Sequence, residues 1–153
     1  MPDTYSQITM HLVFAVKYRE ALILPDFRDL LFKYIYGIIT GKNQKSLAVN
    51  GVQDHIHILF GMEPTLYIPE FVKVVKVESS NFVNENRLSK KKFQWQEGYA
   101  IFSHSNSNRD RVIRYILNQE NHDRKETFRT EYLNLLNTME IKFDNRYVFD
   151  FFE

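Results

Sequence analysis

Within its first forty residues the chain changes hydrophobic period, and that change restricts the fold more than any single motif does. Ile8, Met10, Leu12, Phe14 and Val16 alternate with Thr9, His11, Val13, Ala15 and Lys17, which is the period of a strand. Phe27, Leu30, Leu31, Tyr34, Ile35 and Ile38 then recur at helical spacing. Asp26, with Asp29 three residues on, is placed to cap that helix, and Gly41 to end it.

The alternation of periods continues. Residues 46–51 (SLAVNG) and 54–61 (DHIHILFG) read as two short strands joined by a tight turn near Val52 and Gln53. Pro69 suits the first turn of a second helix, whose stripe is Ile68, Phe71, Val72, Val75, Phe82 and Val83 and whose end is expected near Asn84. A basic loop at 85–92 leads to a strand-like stretch at 93–105 (FQWQEGYAIFSHS), interrupted by Gly98. Ser107 and Asp110 form a capping-box pattern ahead of a third helix at 111–122 (RVIRYILNQENH). A fourth helix is expected from Thr127 to Thr138, before an aromatic tail.

The order strand, helix, strand, strand, helix, strand predicts an α+β fold: a ferredoxin-like split βαβ (β-α-β-β-α-β) antiparallel sheet with extra C-terminal helices. All of it fits one domain, residues 1–153. Two helices then cover one face of the sheet, and a site is expected on the other.

Composition excludes some chemistry and directs the search for the rest. There is no cysteine, so a metal must be held by nitrogen or oxygen. No apolar run approaches the roughly 18 residues of a membrane span, and residues after Met1 carry no signal-like core, so a soluble, cytoplasmic protein is expected. Net charge is only +1, but residues 1–130 hold 18 bases against 14 acids. The bases cluster, as in Lys73 with Lys76, Lys90 with Lys91 and Lys92, and Arg111 with Arg114. Such clusters suit a phosphate backbone, and solvated helix faces produce them too.

His55 and His57 are separated by one residue on a strand, so their side chains share a face and Ile56 and Ile58 occupy the opposite one. Two imidazoles so placed can bind one cation. His11 is expected on the same face, as packing or as a partner of a ligand. Tyr115 and Gln119, four residues apart on the third helix, put a phenol and an amide one turn apart on one side. A histidine pair with a neutral amide would leave a divalent cation its full charge to act on a phosphodiester.

The stretches HLVFAVKYR (11–19), VNGVQDHIHILFGM (49–62), FQWQEGYAIFSHS (93–105) and RYILNQENH (114–122) together resemble the single-tyrosine HUH transposases of small bacterial and archaeal insertion sequences. The resemblance implies His55, His57 and Gln119 as metal ligands and Tyr115 as the nucleophile. It also implies Mg²⁺ or Mn²⁺ as cofactor, with zinc able to bind unproductively, and a homodimer in which histidines of one chain meet the tyrosine helix of the other. The substrate implied is single-stranded DNA with hairpins at the ends of a mobile element, cleaved through a 5′-phosphotyrosine link and rejoined without ATP. Consistent with that, the sequence has no Gly-rich phosphate loop and no nucleotide cofactor is expected. Lys17, Arg19, Lys73, Lys76, Lys90, Lys91, Lys92, Arg111 and Arg114 are the expected DNA contacts. Two other readings fit the same fold: a domesticated relative that processes repeated chromosomal hairpins, and a non-catalytic sheet platform for RNA or single-stranded DNA.

Overall fold

The computed structural model describes residues 4–119, with Thr130 and Asn134 beyond them. Its elements run β1 (Thr9–Ala15), α1 (Pro25–Gly41), β2 (Lys45–Gly51), β3 (His55–Gly61), α2 (Ile68–Glu85), β4 (Ala100–His104) and α3 (Arg109–Leu117). Short 3-10 turns at Lys17–Arg19 and Asn106–Asn108 follow β1 and precede α3. Of the fourth helix expected at 127–138 only Thr130 and Asn134, both helical, are described, and the aromatic tail lies outside the described residues.

The sheet order is β2-β3-β1-β4, and every neighbouring pair is antiparallel. Helix α1 carries the chain from β1 past one strand position to β2, and the hairpin from β2 returns β3 into the gap. This is the expected split βαβ topology, with β1 and β3 at the centre. Both central strands are buried on both faces. Leu12, Phe14, Ile56, Ile58 and Phe60 meet Leu31, Ile35 and Ile39 of α1 and Val72 and Val75 of α2 in one main core. Fully burying each such side chain contributes about 1.5–3 kcal/mol, so this helix-covered face stabilises most of the domain.

The opposite face splits into two territories. Ala48 and Leu59 pack with Ile116 of α3 in a small apolar cluster. Beside it, His55, His57, His11 and His104 follow one another across β3, β1 and β4. Helix α3 is nine residues long, below the length at which an isolated helix holds together, so its position depends on this contact. Asn50 of β2 adds a hydrogen bond from its Nδ2 to the carbonyl of Ile116, 3.0 Å.

Three local expectations are corrected. Asp26 does not cap α1: Leu24 is the cap residue, Pro25 opens the helix, and Asp26 lies inside the first turn, where its charge still favours the helix dipole. Ser107 does not cap α3 either, because Asn106–Asn108 already turn as a 3-10 segment and the Ser107 hydroxyl pairs with that of Ser105 at 3.0 Å. The strand expected over 93–105 forms only at Ala100–His104. Before it, Trp95 makes a single bridge to Val16, and Gly98 takes φ 89°, a conformation open to glycine, that breaks the ladder. Trp95 instead turns inward, its indole N–H donating to the buried Ser79 hydroxyl at 2.9 Å and its ring meeting Phe14 edge-on.

No helix among the described residues is long and apolar enough to cross a membrane.

Candidate active site

The β2–β3 hairpin delivers the two histidines. Gly51 sits opposite Ile56, and a Cβ there would overlap the carbonyl oxygen of His55, so the tight approach of the strands requires glycine. From that turn the period of two points His55 and His57 to the α3 side, as expected, and both are buried.

Each histidine is held through Nδ1. His55 Nδ1 lies 2.7 Å from Asp54 Oδ1, and the carboxylate requires that nitrogen to carry the hydrogen. Asp54 is itself bound on its other oxygen by Arg19 Nε at 3.2 Å. His57 Nδ1 lies 2.8 Å from His11 Nε2. The pair is diagonal, since β1–β3 register sets His57 against Val13 and His11 against Leu59. His11 Nδ1 continues to His104 Nε2 at 3.4 Å. Burial lowers the pKa of His104, which keeps that ring neutral near pH 7.

Helix α3 carries Tyr115, and Gln119 lies two residues past its end. The Tyr115 ring stands edge-on to His57, centroids 5.9 Å apart and planes at 81°. Gln119 is buried one turn later, and its Nε2 donates weakly back to the Tyr115 carbonyl at 3.4 Å. Its Oε1 is buried and, among the described residues, accepts no hydrogen bond. An amide oxygen left this way normally costs about 1–3 kcal/mol, so the position is suited to a ligand that the amide would accept. Among the described residues no three His, Asp or Glu side chains converge on a point. A cation here would therefore draw on His55, His57 and the amide of Gln119, a donor set of two nitrogens and one oxygen that fits a hard or borderline divalent ion.

Within this chain the described contacts link His55 to His57, His57 to Tyr115, and Tyr115 to Gln119. The expected DNA contacts divide. Lys73, Lys90, Lys92, Arg111 and Arg114 are exposed, and Lys17 is half-buried with its ammonium 5.3 Å from the Tyr18 ring. Lys91 is paired with Glu20. Lys76 is taken up internally: Nζ donates to the carbonyls of Gln96 and Gly98, both at 2.7 Å, and burial pulls its pKa down to about 8 against a smaller opposing effect of Glu97. Arg19 is engaged by Asp54. The sequence reading missed Asp54, although it directly precedes His55, because nothing local distinguishes a turn aspartate from one that holds a neighbouring ring.

The model of the family described as transposase IS200 like matches residues 4–119. The ISDra2 transposase TnpA of Deinococcus radiodurans is 29% identical over 124 residues, covering 78% of this chain and 87% of its own. A crystal structure of a protein from Deinococcus radiodurans R1, described as a transposase, superposes with a TM-score of 0.62 at 27% identity and covers 78% of this chain and 95% of that one. A structure of a REP-associated tyrosine transposase bound to a REP hairpin superposes with a TM-score of 0.55 over 77% of this chain and 70% of that one. Its 15% identity speaks for the fold alone.

Proposed function

The chain belongs to the IS200-like transposase family, and on that premise we propose that it cuts and rejoins single-stranded DNA through Tyr115, in one domain spanning residues 1–153. The observation that carries this reading is the placement of the Tyr115 ring against His57, with the amide oxygen of Gln119 buried one turn after Tyr115.

In this reading His55, His57 and Gln119 hold a divalent cation, Mg²⁺ or Mn²⁺. When bound, it supplies Lewis acidity to a phosphodiester. Tyr115 Oη attacks the scissile phosphorus in line: an Oη–P bond forms, the bond from phosphorus to the 3′ oxygen breaks, and that oxygen leaves as a 3′-hydroxyl after taking a proton. The phenolic proton is lost on attack, and a free phenol with pKa near 10 needs help to lose it at neutral pH. The 5′-phosphotyrosine keeps the energy of the broken bond, so a second 3′-hydroxyl can reverse the step on another strand and release Tyr115. Arg111 and Arg114 flank the nucleophile on α3 and would hold the strand by its phosphates, with Lys17, Lys73, Lys90, Lys91 and Lys92 further along. Arg19 and Lys76, tied into the protein, serve structure instead. Hairpin ends as substrate and a homodimer complete the reading. The hairpin-bound relative of the same fold is in keeping with the former.

The test is incubation of the purified protein with hairpin-bearing single-stranded oligonucleotides and Mn²⁺, followed by denaturing electrophoresis. A slow-migrating protein–DNA adduct that EDTA prevents is expected. Tight binding of DNA or RNA with no adduct under any divalent metal would instead support the sheet-platform reading.

A further inference from the structure

Each of the two candidate ligand histidines is gripped through Nδ1 by a different kind of partner, and neither partner has a role in the reading above. His55 is held by Asp54, which the Arg19 side chain fixes from the other side. Arg19 reaches that carboxylate from a strained turn: Tyr18 and Arg19, neither of them glycine, take φ 58° and 53° in succession. Left-handed backbone at two side-chain-bearing residues in succession is strained, and it persists only where other contacts hold it. Here the Val16 amide donates to the Asp54 carbonyl at 2.9 Å and Ile23 to Gln53 at 3.0 Å, wrapping this turn around the hairpin.

His57 is held by His11, and the partners differ in charge. In the tautomer that gives Nε2 of His57 a lone pair, its Nδ1–H donates to His11 Nε2 at 2.8 Å, and the His11 hydrogen then sits on Nδ1, facing His104. The three rings then form one directed chain, His57 to His11 to His104. Its polarity leaves a lone pair on Nε2 of His57, and Asp54 imposes the same tautomer on His55.

We propose that His11 and Asp54 are positioning residues, which fix the tautomer and aim of His57 and His55 so that their Nε2 atoms take one divalent cation. This rests on the proposed metal site. Partners of this kind commonly change metal affinity by about 10–100-fold without touching the ion.

Mn²⁺ affinity of the full-length protein without DNA, read by electron paramagnetic resonance, tests it apart from activity. His11→Leu should weaken binding about 10–100-fold. His11→Gln, whose amide reaches about as far as Nε2, should recover most of that loss. Asp54→Asn, which keeps an acceptor for His55, should lose less than Asp54→Leu. Nitrogen chemical shifts of the metal-free wild type at neutral pH need no variant and should show the Nδ1–H tautomer for both His55 and His57. Wild-type affinity in folded His11→Leu overturns the inference. So does equal loss in the Leu and Gln variants, or an Nε2–H tautomer at His57. Should the wild type itself bind no Mn²⁺, the proposed metal site fails first and the inference falls with it.

Discussion

Tyr115 and His57 lie 58 positions apart in the sequence, yet the phenol ring meets the imidazole edge-on with centroids 5.9 Å apart. Only the docking of α3 on the β2–β3 side of the sheet produces this contact.

Tyr115→Phe keeps the ring, and so the contact, and removes the oxygen. It should abolish the covalent adduct while leaving hairpin affinity within about threefold, since phosphate contacts by lysine and arginine dominate binding. Adduct formation by this variant would assign the nucleophile to another tyrosine.

Mixing inactive variants tests which chain supplies the helix over the histidines. With sites completed within a chain, a heterodimer of His57→Ala and Tyr115→Phe contains no intact site and should stay inactive. Partial recovery after verified subunit exchange would show that α3 crosses to the other chain, the arrangement the sequence resemblance implied.

The seat of α3 should be separable from the main core. Ile116→Ala removes the side chain that packs on Ala48 and Leu59, and at about 2 kcal/mol it should fall at the low end of buried Ile→Ala losses, because the cluster is small and lies at the margin of the domain. Hydrogen exchange should speed up in α3 with β1 and β3 nearly unchanged, and adduct yield should fall. Equal acceleration in all three elements would mean that α3 is part of the global folding unit.

Lys76 gives a pH signature. Its pKa is lowered by burial to about 8 in the folded protein, against about 10.4 in an unfolded chain, so the folded state sheds this proton first as pH rises. The cost of burying the charge is therefore full below pH 8 and is relieved between about pH 8 and 10. Relative to Lys76→Met, which cannot titrate, the melting temperature of the wild type should rise across that interval. A difference that stays flat would place the ammonium in solvent.

The elements themselves were legible because their causes are local. Strand and helix periods run over consecutive residues, so β1, α1, β3 and α2 were readable to within a residue or two, and the one-residue gap between His55 and His57 already put both on one face. The four-residue step from Tyr115 to Gln119 is equally local. The capping expectations at Asp26 and Ser107 went wrong because a proline start and a 3-10 turn competed for the same few residues.

What tertiary structure alone decided is who meets whom across the sheet. His11 reaches His57 diagonally only because β1 and β3 pair in one register, and register follows from burying Leu12, Phe14, Ile56 and Ile58 together under two helices, a sum over distant residues that no short window contains. The same packing turned Arg19 and Lys76, two apparent DNA contacts, inward to Asp54 and to backbone carbonyls. For Arg19 the acceptor is the buried Asp54, and a buried acceptor that lacks a partner costs more than a solvated charge contributes at a surface.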